Sequence, residues 1–256
     1  MTMRKKIILG LIGLVVLVAI GVLVWGIKTG KIKPRADTTG ASQYSLLGQF
    51  GSPGTGPGQI SFISDMAVDP TTGNIFVSDL YQRTALSSCG NNCTVMRYFY
   101  RIQVFDKTGK FLYQFGQNLI YGGFIPWKGG KIAIDKNGMV YVTSFKLDCY
   151  PSLSDAFCQA TEKKFVVFNN NGAYVTSIGL NYIPLDIATD PSTGELYTLS
   201  GTGGTAGPTY FDGTNIKVYN STTHGYFRGF PLSAYKAGNI AINGSYDIYT
   251  IDVNYS

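Results

Sequence analysis

One histidine, four cysteines and fifteen acidic residues among 256 leave this chain few ways to do chemistry. The histidine, His224, sits in the segment NSTTHG at 220–225. A lone imidazole in a polar turn reads as a solvated turn residue and makes a poor general base. The carboxylates recur more suggestively. Asp69, Asp135 and Asp190, with Asn243 in the same place of a fourth copy, each follow a short apolar run and precede a Gly-containing segment. A ring of aspartates could hold a cation. The stronger expectation is that each caps a tight turn by accepting hydrogen bonds from nearby backbone N–H groups. Asp79 and Asp252 follow the next apolar run, but Ser144 and Ser200 stand at the equivalent places without a carboxylate. Calcium loops need several oxygen ligands at alternating positions, which DPTTGN and DKNG do not supply. The glycine-rich GTGGTAG at 201–207 leads into no helix, so it is not read as a phosphate loop. No catalytic, cofactor-binding or metal-ligating residue is therefore assigned. A cation in a central channel is left open as the one inorganic partner.

The cysteines fall in two local pairs, Cys89/Cys93 and Cys149/Cys158. Three pairings are possible in principle, and the local one is the simplest. Loop disulfides persist in oxidising compartments, so they would place this part of the chain outside the cytoplasm. Zinc is the rival reading, but no histidine lies near either pair and the spacings are not those of zinc knuckles. Four Asn-x-Ser/Thr sequons, at Asn92, Asn220, Asn243 and Asn254, fit an exported chain but add little in a sequence so rich in these residues. Around the cysteines cluster side chains suited to recognition: Tyr81, Arg83, Arg97, Tyr98, Tyr100, Phe145, Lys146 and Tyr150, with Tyr210 further on. Tyr and Arg offer large contact area and dominate binding hot spots. About half of this group should be core, because alternate residues of MRYFYRIQVF face inward if the strand begins early.

The elements that position these residues come from a repeated phrase. DMAVDPTTGNIFVSD (65–79) is followed by RIQVFDKTGKFLYQFG (101–116). The phrase returns as KIAIDKNGMVYVTS with KFVVFNNNGAYVTSIG, and again as DIATDPSTGELYTLS with NIKVYNSTTHGYFRGF. A fourth opening, NIAINGSYDIYTIDV, has no second half. Each apolar run is short, alternating or β-branched, and is bounded by Gly, Asn, Asp or Pro, which is the pattern of an all-β domain. A fixed repeat of this kind buries its apolar faces between neighbouring copies. Strand a is expected near 64–69, 131–135, 185–189 and 239–243. Strand b follows at 74–78, 139–143, 195–199 and 247–251. Strand c is expected at 101–105, 164–168 and 215–219, and strand d at 110–115, 173–178 and 225–230. YSLLGQFG at 44–51 resembles a strand d standing alone, which could close the last blade. Three long insertions, 80–100, 145–163 and 201–214, all separate strands b and c, and should emerge as loops on one face.

The N-terminus belongs to a different solvent. Ile7 to Ile27 carries no charge and, at about 1.5 Å per residue, is long enough to cross a bilayer. Arg4, Lys5 and Lys6 precede it, and Lys28, Lys31, Lys33 and Arg35 follow without a cleavage site, so an uncleaved anchor is expected rather than a signal peptide. These flanking residues account for the net charge of +6, and beyond residue 40 basic and acidic residues balance. That excludes a nucleic-acid-binding face. The expected organisation is a tip and transmembrane helix at 1–27, a polar linker at 28–43 and the repeat domain at 44–256.

The repeated phrase, an apolar residue followed by A-(V/I)-D, then Gly, then a (I/V)-(F/Y)-V-(S/T)-D strand, an insertion, and R-I-Q-V-F-D-x-x-G-x-F-x-x-x-F-G, resembles the NHL repeat of β-propellers. Residues 50–116 match best, 124–179 well and 182–230 loosely. The resemblance implies an all-β propeller of about four blade units, the last incomplete. It implies little about activity, since that family includes membrane-tethered sensor domains, protein- and RNA-binding platforms and a few lyases. The His-rich metal centre expected of the lyases has no counterpart here. Three forms of closure are compatible with the repeat count: part of a longer propeller, a small four-bladed one, or an open arc completed by another subunit. The expected function is a membrane-anchored, extracytoplasmic binding module, N-terminus inside, whose disulfide-stapled loops recognise protein, glycan or a cell-envelope polymer. The alternatives are an extracytoplasmic propeller enzyme of lyase, lactonase or hydrolase type, and a structural subunit of a cell-surface assembly.

Overall fold

The computed structural model describes residues 48–87, 94–121, 129–150, 157–201, 213–220, 222–232, 237–245 and 247–252. The expected anchor and linker lie outside these residues, as do Cys89 and Cys93, most of the third insertion, and Tyr210. Among the described residues no helix is long and apolar enough to cross a membrane. Residues Gln49–Ser256 form one compact unit.

In chain order the strands are β1 (Ser52–Pro53), β2 (Gln59–Ile60), β3 (Ile63–Val68), β4 (Ile75–Ser87), β5 (Thr94–Phe105), β6 (Phe111–Tyr121), β7 (Ile132–Ile134), β8 (Met139–Tyr150), β9 (Phe157–Asn169) and β10 (Tyr174–Gly179). They continue with β11 (Ile183–Thr189), β12 (Leu196–Gly201), β13 (Gly213–Tyr219), β14 (Tyr226–Pro231), β15 (Ala237–Ile242) and β16 (Ile248–Asp252). The first two repeats each make a four-stranded antiparallel meander, β3-β4-β5-β6 and β7-β8-β9-β10. The third makes β11-β12-β13-β14, and β15 and β16 extend it through a single β13–β15 pair, Gly213↔Ala237. All four expected a–b pairs and all three expected c–d pairs are present. Three meanders in sequence, stacked face to face, are the blade arrangement of a propeller.

The stacking follows from strand periodicity. Successive side chains of a strand point to opposite faces. In β8 and β9, Val140, Val142, Val166 and Phe168 therefore pack against the first meander, on Phe76, Ile102, Val104 and Phe115. Their neighbours Tyr141, Phe165 and Val167 pack the other way, against Ile187, Leu196 and Tyr219 of the third. The second meander is thus buried on both faces, which explains its near-continuous apolar runs VYV and FVVF. A third cluster, Leu185, Tyr197, Leu199, Ile216 and Val218 with Ile240, joins the third meander to β15.

Two expectations are corrected. The first two insertions are not loops over most of their length: β4 and β5 stay paired out to Ser87↔Thr94, and β8 and β9 out to Tyr150↔Phe157. Backbone groups leaving the sheet keep their hydrogen bonds by continuing the hairpin. The lone strand d at 44–51 is also not found among the described residues. Gly48–Phe50 form no strand, and Phe50 instead stacks its ring at 4.9 Å on Phe105 of the first meander. Glycine is required beside it: Gly109 has φ +85° and a Cβ there would lie 2.4 Å from the Phe50 Cβ.

Candidate functional site

The recurring aspartates are turn caps. Asp69 accepts hydrogen bonds from Thr71 N–H at 2.9 Å and Thr72 O–H at 2.7 Å. Asp135 accepts from the N–H groups of Asn137 and Met139, Asp190 from those of Ser192 and Thr193, and Asn243 from those of Ser245 and Asp247. Asp106, Asn169 and Asn220 do the same for the c–d turns. Short turns of this kind leave N–H groups unpaired, and an Asx side chain is the nearest acceptor.

His224 departs from the solvated residue expected. It is half-buried in a left-handed conformation at φ 55°, edge-on to Tyr141 of the second meander at 5.9 Å. Its Nε2 is buried without a hydrogen-bond partner in the structure. The turn places it against a neighbouring blade, which a reading of the turn alone does not reveal.

Two ribbons form the candidate binding face. Beyond the ends of β3 and β7, β4–β5 and β8–β9 run on as hairpins. Each ribbon begins at a register shift close to the sheet: between Leu80 and Gln82 in one, with the extra residue on β4, and one position earlier in its repeat, between Ser144 and Lys146, in the other, with the extra residue on β9. A bulge turns a strand pair and adds twist, so each ribbon changes direction where it leaves its blade. Within them Arg83 is paired with Tyr98, Thr84 with Arg97, and Cys149 directly with Cys158. For Arg83, Arg97, Tyr150, Cys149 and Cys158 only backbone placement is described. Tyr81 is half-buried with the Arg101 guanidinium 5.7 Å from its ring centre, and Tyr98 packs on the first core cluster. Lys146 is tied to Glu162 at 2.8 Å. Tyr100 and Phe145 must be removed from the face: both are fully buried, Tyr100 in the first core cluster and Phe145 in the cluster of the third meander. β5 starts early enough to turn Tyr100 inward, and Phe145 sits at the register shift of β8, which runs on past its expected end.

At the base of the first ribbon lies a buried ionic network. Arg101 is 1% exposed and Asp79 is 0% exposed. The guanidinium donates to Asp79 Oδ2 from Nε at 3.1 Å and Nη2 at 2.8 Å. It also donates to the carbonyl oxygens of Thr55 (2.7 Å) and Gln59 (2.9 Å), and to Gln114 Oε1 (3.2 Å). Asp79 Oδ1 accepts the N–H groups of Ser61 and Phe62 at 2.9 and 2.8 Å, and Gln103 Nε2 donates to Oδ2 at 3.1 Å. The network straps residues 54–62 to the first blade. In the second repeat Ser144 Oγ accepts a hydrogen bond from Tyr121 N–H at the end of β6 at 2.9 Å. Asp79 is thus a structural group.

An axial cluster escaped sequence reading. The inner strands β3, β7, β11 and β15 lie beside one another in chain order. Asp65 Oδ2 on β3 accepts Ile132 N–H of β7 at 3.0 Å, Thr189 Oγ1 of β11 donates to Ile134 O at 2.7 Å, and Asp186 Oδ2 accepts Ile240 N–H of β15 at 2.8 Å. Lys131, just before β7, donates from Nζ to the Ser64 carbonyl at 3.4 Å and acts electrostatically on both carboxylates. Burial raises the pKa of Asp65 against the opposing pull of Lys131. Burial likewise pushes Asp186 up to about 6, with Ile240 N–H and Lys131 resisting and Asp65 adding to the rise. The signal was present as the residue four positions before each turn cap: Asp65, Lys131, Asp186 and Asn239. Only the stacking of blades shows that these four places meet. Among the described residues, no three His, Cys, Asp or Glu side chains gather where a metal ion could sit.

No family model and no curated protein matches the sequence. Among solved structures, a gluconolactonase from Xanthomonas campestris is similar at 13% identity and a TM-score of 0.45, over 82% of this chain and 58% of that one. The WD40 repeats of RRP9 are similar at 11% identity and a TM-score of 0.44, over 74% of this chain and 51% of the other. The chain therefore spans little more than half the length of either. Neither likeness reaches a level that bears on activity.

Proposed function

We propose that this protein is a membrane-anchored, extracytoplasmic propeller of NHL-like blades that works as a binding module, with the two ribbons as its recognition face. The observation that carries the reading is their equivalence: each is the b–c hairpin of its blade, prolonged past the sheet beyond a bulge within one residue of the equivalent positions Asp79 and Ser144. A two-stranded ribbon is marginally stable alone. A cross-strand disulfide would offset that weakness, and the direct Cys149↔Cys158 register supports one. Photo-crosslinking groups at Arg83 and Arg97, compared with one at Lys136 on a distant turn, test the proposal in the native envelope. Adducts to one defined partner at the ribbon positions, absent at Lys136, are expected. Identical adduct patterns at all three sites would sink the proposal. Digestion without reduction should recover a linked Cys149–Cys158 peptide.

A second reading, an extracytoplasmic propeller enzyme with a channel metal, draws support from the axial cluster. A carboxyl titrating near 6 beside a lysine is suited to general acid–base work. Stoichiometric metal in purified protein, lost on replacing Asp65 or Asp186 by Ala, would favour it over the binding reading.

A further inference from the structure

A groove on the outer part of the third blade carries an inference independent of the ribbons. It is a shallow, open depression of about 160 Å³ over β13 and β14, lined by Asn215, Lys217, Tyr226, Gly229 and Phe230 among others. Lys217 and Gly229 are register partners, so the lysine stem lies opposite a position with no side chain. A Cβ at Gly229 would lie 2.9 Å from Tyr226 Oη and 3.0 Å from the Ile216 carbonyl oxygen. The missing side chain lets the Tyr226 hydroxyl lie over the backbone at Gly229. The Lys217 ammonium stands 4.0 Å over the Tyr182 ring, and its nearest polar contact is Asn181 Oδ1 at 3.5 Å, the outer limit of a hydrogen bond. Among the described residues no carboxylate lies within ion-pair distance of it. Burial also lowers its pKa, the mark of an ammonium that has lost water and gained no anion. Tyr226, at the rim, is 61% exposed and meets Tyr219 edge-on, which leaves a ring face open.

We propose that this groove binds a uronic acid residue of an acidic polysaccharide, the carboxylate meeting Lys217 and the sugar ring lying on Tyr226. An anion supplies the missing counter-charge. An exposed aromatic ring suits the C–H face of a pyranose.

Calorimetry on the full chain in detergent, titrated with hexagalacturonate and with neutral maltohexaose, tests this. Binding of the acidic oligomer alone is expected, weakening as salt is raised. Lys217→Met keeps the stem on Tyr182 and should weaken binding about 10–100-fold, as loss of a hydrogen bond to a charged group does. Tyr226→Ala, at an exposed position, should weaken it about tenfold. Lys136→Met and a chain with the first ribbon shortened should bind unchanged, which separates this groove from the recognition face proposed above. The proposal is overturned if the wild type ignores hexagalacturonate, if maltohexaose binds equally, or if free glutamate competes as well as galacturonate. Unchanged affinity in both Lys217→Met and Tyr226→Ala overturns it too.

Discussion

Replacing Asp79 by Asn changes one atom and should cost more than most truncations. Both carboxylate oxygens receive only donors: two backbone N–H groups at Oδ1, and two guanidinium N–H groups and the Gln103 amide at Oδ2. An Asn side chain must present its NH₂ to one of these sets. It either leaves Ser61 and Phe62 without an acceptor or faces a donor to Arg101. In both cases the guanidinium, 1% exposed, loses its counter-charge. Removing one partner of a buried pair costs about 3–5 kcal/mol. For a domain of this size about 2–4 °C of melting temperature corresponds to each kcal/mol, so a fall of roughly 6–20 °C is expected by calorimetry. The strap over residues 54–62 should open first, making that segment the earliest site of limited proteolysis in the variant. Replacing Arg101 by Met as well removes the orphaned charge, so the double variant should be more stable than Asp79→Asn alone. Melting of Asp79→Asn within 2 °C of wild type, an outcome at odds with about 3 kcal/mol or more, would refute the reasoning. So would a double variant whose loss equals the sum of the two singles.

The axial carboxyl gives a pH prediction. The folded pKa of Asp186 is raised to about 6, so its contribution to stability is full below the unfolded value near 3.8 and is lost as pH rises through about 6. Asp186→Asn keeps an oxygen for Ile240 N–H and cannot ionise. It should match wild type near pH 4 and be more stable by roughly 2–3 kcal/mol at pH 8, and parallel melting curves across that range would refute the shift. Gly130 sits at φ +71°, where an added Cβ would lie 2.7 Å from Ser78 Oγ and 3.0 Å from the Tyr100 ring. Gly130→Ala should therefore cost about 2–4 kcal/mol in urea denaturation, from left-handed strain and overpacking together, and an unchanged midpoint would show that the blade interface yields.

The sequence by itself determined the strands and their turns, because both are local. Short β-branched and aromatic runs such as IAI and FVVF, each leading into an Asx-to-Gly turn, need no knowledge of neighbours, and Asp69, Asp135 and Asp190 cap the turns that follow them. The buried Asp79–Arg101 pair was half legible. Asp79 stood out, but Arg101 and the partners Thr55, Gln59 and Gln114 come from separate stretches of chain. Tertiary structure alone decided three things. It turned the expected loops into ribbons, because a backbone leaving a sheet keeps its hydrogen bonds best by pairing with itself. It moved Tyr100 and Phe145 from the candidate face into the core, since the early start of β5 and the register shift in β8 set which way they point. It brought Asp65, Lys131 and Asp186 together across three repeats, where burial and mutual charge shift the two carboxyls as no local pattern could foretell.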